Sequence, residues 1–317
     1  MTSPAPLPSR PRPVVTEPTG GDRRVPANWL DEAPVTRALL ALNVAVFAMQ
    51  VALAHQVAHL PMREGLELGA SYGMATVGEY RWETLLTACF LHDGVVHLGF
   101  NMLALWQAGP LVERSVGSAR MAPLYLAAGA FGNVLSVGYG WVHRSDGFSV
   151  GASGAISGVI AAAVVVGWRV QGWRGPLTQA MLRWLAFVIG FGVLSNLSGG
   201  RIDNAAHVGG AAAGAAIALT WRVGRRYSER AATAILAACA AALVACIAVV
   251  AWHDRTDRFA TWMLQDRKEF TLQAIEEGRC SDAQAGLLAV ERLRAPMAPV
   301  TSLRNRVVST CGHLTDH

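Results

Sequence analysis

The sequence predicts an all-α polytopic membrane protein, a helical bundle of six core spans with a seventh span after them, and three observations carry that expectation. Charged residues are 15% of the chain against 52% hydrophobic ones, at a mean hydropathy of +0.32, a balance that a soluble domain of 317 residues rarely shows. Windows of about 20 predominantly apolar residues start near Val35, Val95, Met121, Val150, Thr178, Asn204 and Ala231. The arginines gather in alternate loops, as they do in membrane proteins of fixed orientation.

Taken in order, residues 1–34 are rich in Pro, Arg, Ser and Thr without apolar periodicity, and read as a disordered tail. No cleavable signal peptide is visible ahead of the first long apolar run. Residues 35–228 hold the six core spans, of which the fifth is the weakest because Arg183 lies inside it and must snorkel or face protein. Residues 229–252 are the seventh span, whose stretch "AATAILAACAAALVACIAVVA" is free of charge and so reads as an anchor. Residues 253–317 read as a small tail with two short amphipathic helices, "FTLQAIEEG" and "SDAQAGLLAVERLRA", the second capped by Ser281 or Asp282.

Arg10, Arg12, Arg23, Arg24 and Arg37 precede or open the first span, and the loops after the second, fourth and sixth hold Arg114, Arg120, Arg169, Arg174, Arg222, Arg225, Arg226 and Arg230. The N-terminus is therefore expected in the cytoplasm, and seven crossings put the tail outside. The net charge of +5 reads as this topology signal. No basic run interleaved with aromatics marks a nucleic-acid partner, and no CxxC or Cys/His spacing marks a metal. Cys89, Cys239 and Cys246 read as small apolar residues.

Polar groups inside spans are costly unless paired or functional, and here they are few: His97 and Asn101, Ser153 and Ser157, Asn196, Asn204 and His207. An isolated serine in a membrane helix is ordinarily a packing residue bonded to its own backbone. A histidine near a helix end is ordinarily interfacial. Ser153 and His207, however, each come wrapped in glycines. In "GASGAISG" Gly154 and Gly158 make a small-xxx-small face, with Gly151 just ahead; in "HVGGAAAG" Gly210 and Gly214 repeat the spacing. If those faces pack, Ser153 and His207 lie near one end of the pair, where the imidazole would take the hydroxyl proton as the oxygen attacks a carbonyl. Ser153 also falls in the first turn of its helix, among unpaired N–H groups that suit a developing oxyanion. His97 and Asn101, at i and i+4, share a face near the same end and could add donors; a structural bond between helices is the other reading of that pair.

The motifs "FLHDGVVHLGFNM", "ERSVGSAR", "GASGAISG" and "DNAAHVGGAAAG", in this order on successive spans, resemble the rhomboid family of intramembrane serine proteases over about residues 35–225. The resemblance implies a bacterial inner-membrane enzyme of the six-plus-one form that needs no cofactor and cuts membrane-spanning protein substrates near the outer face. It implies Ser153 as nucleophile and His207 as general base, without a third acid. His97 and Asn101 match the oxyanion donors, His92 a structural histidine, and Glu113 with Arg114 a pair that pins the loop after the second span. Two departures accompany it. "RWETLLT" carries Arg81 and Trp82 in reversed, displaced order, and Ser157 stands where members often place an aromatic, so its hydroxyl could bond His207 or leave space. A catalytically inactive rhomboid-like client binder is the alternative. A transporter fits less well, since only Arg183 is charged near mid-span.

The topology puts Cys280 and Cys311, the two cysteines of the tail, on an oxidising side, where disulfides persist. They are expected to pair and to staple a tail whose own apolar core is thin.

Overall fold

The computed structural model describes residues 32–78, 80–143, 147–198, 202–222, 227–255, 258–292 and 297–312; nearly all of the N-terminal tail expected at 1–34 lies outside them. Among the described residues the chain is helical, with one isolated β-bridge, Ser71 to Ser149. Helix α1 (Pro34–Ala54) opens on a proline, whose missing N–H is no loss at a helix start, and stops where His55 turns left-handed. Its opening N–H groups are capped from elsewhere. Glu113, 2% exposed, accepts from Val35 N at 2.9 Å and from Thr36 N and Oγ1 at 2.7 Å, and also from Ser118 Oγ at 2.6 Å.

Three short helices, α2 (Met62–Glu67), α3 (Gly73–Gly78) and α4 (Thr84–Thr87), and a 3₁₀ turn at Ala88–Phe90 fill the connection to α5 (Val95–Val116). Then follow α6 (Ser118–His143), α7 (Ser153–Gln171), α8 (Pro176–Leu197), α9 (Asn204–Thr220) and α10 (Glu229–Arg255). The helices α1, α5, α6, α7, α8 and α10 are long and apolar enough to cross a bilayer. The sixth expected span, α9, has 17 residues and is about 25 Å long. It can be short because it does not face lipid alone: α6 and α7 pack along it.

The centre of the bundle is α7, whose residues Gly154 to Gly167 are all buried. Without a hydrophobic gradient between helices in lipid, close approach must come from small residues, and the glycines supply it. A Cβ on Gly210 or Gly214 would overlap the carbonyl oxygen of Gly154 or Gly158, and one on Gly158 would stand 2.8 Å from Gly210 O. Gly132 of α6 meets Ala206 O in the same manner, at 2.6 Å. The helix α8 is peripheral, and its Arg183 is exposed, about 10 Å from the helix start and so within snorkelling reach of the interface.

The tail holds three helices rather than the two expected. α11 (Arg258–Glu276) starts well before "FTLQAIEEG", and α12 (Cys280–Arg292) is followed by α13 (Met297–Cys311). Ser281 and Asp282 do not cap α12; they lie inside its first turn, where Asp282 pairs with Arg279. Ala274, Ala283, Leu287, Val290, Leu303 and Val307 form the tail's core. Cys280 and Cys311 are joined by a disulfide across Cα atoms 5.3 Å apart, tying the start of α12 to the end of α13.

Candidate active site

One end of the bundle gathers the polar residues singled out in the sequence. The loop before α7 is fixed there by backbone bonds, Ser71 N to Ser149 O at 3.0 Å, Ser149 N to Ser71 O at 2.6 Å and Gly151 N to Ala88 O at 2.9 Å. Ser153 then opens α7 with no side-chain cap. Because Ile156 N is the first to bond back, to Ala152 O, the N–H groups of the first turn have no intrahelical acceptor. Gly151 sits at φ +127°, and a Cβ on it would lie 2.7 Å from His97 Cε1, 2.9 Å from His97 Nε2 and 3.5 Å from Asn101 Nδ2. Only glycine tolerates both that backbone and that proximity.

The donors face this glycine with their hydrogen bonds unspent. His97 Nδ1 accepts from Asp93 N at 3.3 Å, which assigns the proton to Nε2, the nitrogen beside Gly151. Asn101 is 6% exposed, and its Nδ2 has no partner among the described residues. Behind them His92, fully buried, packs edge-on against the His97 ring at 5.3 Å. Gln50 of α1 holds the His92 backbone from both sides, Nε2 to His92 O at 2.6 Å and Oε1 from His92 N at 3.1 Å. Burial, with His97 alongside, pushes the His92 imidazole down to about 3, so it is a neutral spacer.

His207 lies in the first turn of α9, 6% exposed, with Nδ1 unpartnered among the described residues. The position Cβ would take on Gly154 is 3.2 Å from Ala206 O, so Ser153 and His207, each one residue away, lie beside a close contact of α7 and α9. A residue overlooked in the sequence organises this end. Asp203 caps α9 through Oδ1, accepting from Ala206 N at 2.9 Å, while Oδ2 accepts from Ser149 Oγ at 2.6 Å and Ser136 Oγ at 2.5 Å. One carboxylate thus ties the helix of His207 to the loop leading to Ser153 and to α6. Its signal was present, an Asp just ahead of Asn204 at an N-cap position.

Residues 79–224 match the family model of the Rhomboid domain. Rhomboid protease AarA of Providencia stuartii is 30% identical over 208 residues, 59% of this chain and 72% of that protein. The chain belongs to the rhomboid family. Rhomboid protease GluP of Bacillus subtilis is 36% identical over 166 residues, half of this chain and 30% of that one. Rhomboid-type serine protease 2 of Emericella nidulans is 34% identical over 142 residues, 44% of this chain and 27% of that one. Against these last two the chain spans less than a third of its relative's length.

The two departures noted for this rhomboid resolve locally. Arg81 is 2% exposed and holds the α1–α5 connection from inside, Nε to Glu83 Oε1 at 3.2 Å and Nη1 to Leu66 O at 3.3 Å, while Trp82 is half exposed. His253 of α10 joins the same carboxylate at 3.4 Å. Ser157 is buried and does not bond His207; its hydroxyl donates to Ser153 O at 2.8 Å, the i−4 back-bond common to membrane serines. Of the pair after the second span, Glu113 is the clamp and Arg114 is partly exposed, bonding Pro110 O at 3.2 Å.

Proposed function

We propose that this chain is an intramembrane serine endopeptidase that cleaves membrane-spanning protein substrates by acyl transfer to Ser153. The observation that carries the reading is the convergence of unspent donors on Gly151: His97 Nε2, Asn101 Nδ2 and the uncapped first turn of α7. As Ser153 Oγ attacks the scissile carbonyl, His207 takes its proton and returns it to the leaving amine. The carbonyl oxygen, now negative, is held by the Ser153 N–H, His97 Nε2–H and Asn101 Nδ2–H, donors in place before charge develops. Water then hydrolyses the acyl-enzyme with His207 as base. No carboxylate is needed on His207 Nδ1; Asp203 acts on the helix rather than the ring. Relatives bearing the names rhomboid protease and serine protease support the same chemistry.

In the same reading the bundle is a multi-pass protein of a bacterial inner membrane, with its N-terminus cytoplasmic and the serine end outward. The tail occupies that end too, since Arg267 of α11 stacks over Tyr72 at 5.4 Å, next to the Ser71–Ser149 bridge. The Cys280–Cys311 disulfide then lies on the oxidising side. The domains are the tail 1–34, the core 35–228, the span 229–252 and the tail 253–317. The test is cleavage of a reconstituted single-span substrate in proteoliposomes. Wild type should cut near the outer end of the span and Ser153→Ala should not; equal cleavage by both would end the proposal, and client binding without cleavage by wild type would favour an inactive rhomboid-like binder.

A further inference from the structure

At the end of the bundle away from Ser153, where α6 and α10 begin and α9 ends, a cavity of about 500 Å³ opens between Arg120, Thr220, Trp221, Arg222, Tyr227 and Ser228. Arg120 is the unusual member. It is 8% exposed, its guanidinium lies 5.3 Å from the Tyr227 ring centre and 5.8 Å from that of Trp221, and it makes one long hydrogen bond, Nη1 to Val116 O at 3.5 Å. Its Nε has no partner, and it has no ion pair, among the described residues. A buried cation left without a counter-charge is costly.

The neighbouring arginine shows the contrast. Arg169 spends its guanidinium on the last carbonyls of α9, Nη2 to Leu219 O at 2.6 Å and Nη1 to Trp221 O at 2.8 Å and Ala218 O at 3.2 Å. It neutralises the negative end of that helix and leaves Arg120 to something else. The remaining lining is equally suited to an anion: exposed Arg222, and the N-terminus of α10, where Ser228 Oγ accepts from Ala231 N at 3.3 Å and the other first-turn N–H groups have no intrahelical acceptor. Among the described residues that line it, none is acidic.

We propose that this cavity binds the phosphate group of an anionic phospholipid headgroup, held in the fork of Arg120 with Arg222 and the α10 N-terminus as further donors. Helix ends and two ring residues, Trp221 and Tyr227, place it at the depth where headgroups and interfacial aromatics meet. The site is independent of the serine chemistry. Arg120 thereby gains its counter-charge, and lipid seated there joins α6, α9 and α10.

The test uses the purified full chain with native mass spectrometry and thermal unfolding, in micelles supplemented with palmitoyl-oleoyl phosphatidylglycerol, with the phosphatidylcholine analogue, or with inorganic phosphate. Wild type should retain phosphatidylglycerol in preference to phosphatidylcholine and unfold at a higher temperature with it. Arg120→Gln should weaken that retention roughly tenfold to a hundredfold, the loss of a charge-assisted bond. Should Arg120→Gln fail to fold, Arg222→Gln, at an exposed position, should weaken it several-fold. Stabilisation by inorganic phosphate alone, lost in the same variants, would support the phosphate site with a soluble ion as its source. Equal retention of both lipids with no effect of phosphate, or undiminished phosphatidylglycerol binding by both folded variants, would overturn the site.

Discussion

Replacing Gly210 with Ala adds one methyl group at the tightest point between α7 and α9. That carbon would overlap Gly154 O and stand 2.7 Å from Gly154 C and 3.1 Å from its Cα. All three are backbone atoms, so no side chain can rotate away. Restoring ordinary contact requires the helices to part by about 1 Å, and overpacking of that kind costs typically about 1–3 kcal/mol. The catalytic consequence is larger than the loss of stability. His207 rides on α9 one turn before Gly210 and Ser153 precedes Gly154 on α7, so the same 1 Å separates the proposed base from the proposed nucleophile, a displacement that can lower the rate about a hundredfold. Gly154→Ala should be milder, since its Cβ meets Ala206 O at 3.2 Å, and Gly138→Ala and Gly190→Ala, with nothing within 4 Å, are the controls. Substituting Leu at Gly154 or Gly210 should abolish activity. The assay is turnover of a reconstituted single-span substrate alongside thermal unfolding of each variant. Gly210→Ala turning over as fast as the Gly138→Ala control would refute the packing argument.

Asn101→Ala should keep the fold and lower kcat about 10²-fold to 10³-fold, the usual loss for one oxyanion donor; an unfolded variant with no separate catalytic defect would make the residue structural. Asp203→Ala removes the α9 cap, worth about 1 kcal/mol, and two hydroxyl partners. As a positioning residue it should lower kcat with little change in KM, Asp203→Asn recovering part of the loss through its retained cap oxygen; unchanged kcat would remove it from the account. His92 gives a pH signature. Its folded pKa, about 3, lies below the unfolded value of about 6.5, so the unfolded chain binds the extra proton and stability falls as pH drops below 6.5. The loss is about 2 kcal/mol by pH 5, and it should be absent in His92→Gln; identical unfolding profiles from pH 7 to 5 would contradict a neutral buried ring.

The spans were legible because lipid demands long apolar windows, and even α9 was found as such a window although it is short. The connection between α1 and α5 was not, since α2, α3 and α4 are too brief for periodicity to register and are held by long-range bonds such as Arg81 Nη1 to Leu66 O. The helix α13 escaped for a related reason: Pro299 and a polar stretch break the apolar stripe, and its order rests on Leu303 and Val307 reaching the α11–α12 core. At the site, Ser153, His207, His97 and Asn101 could be read from spacing and glycine context. What spacing could not give was the second task of Asp203, its bonds to Ser136 and Ser149, which are distant in sequence. The same holds for the convergence of His97 and Asn101 on Gly151, which depends on how α5 lies against the loop before α7.

The most direct measurement of the central claim is covalent labelling of the purified, membrane-reconstituted chain with a fluorophosphonate, followed by mapping of the adduct by mass spectrometry. The account predicts one adduct, on Ser153, absent in Ser153→Ala and formed far more slowly in folded His207→Ala, where the hydroxyl has lost its base. An adduct on another serine, or labelling of Ser153 at an unchanged rate without His207, would contradict it.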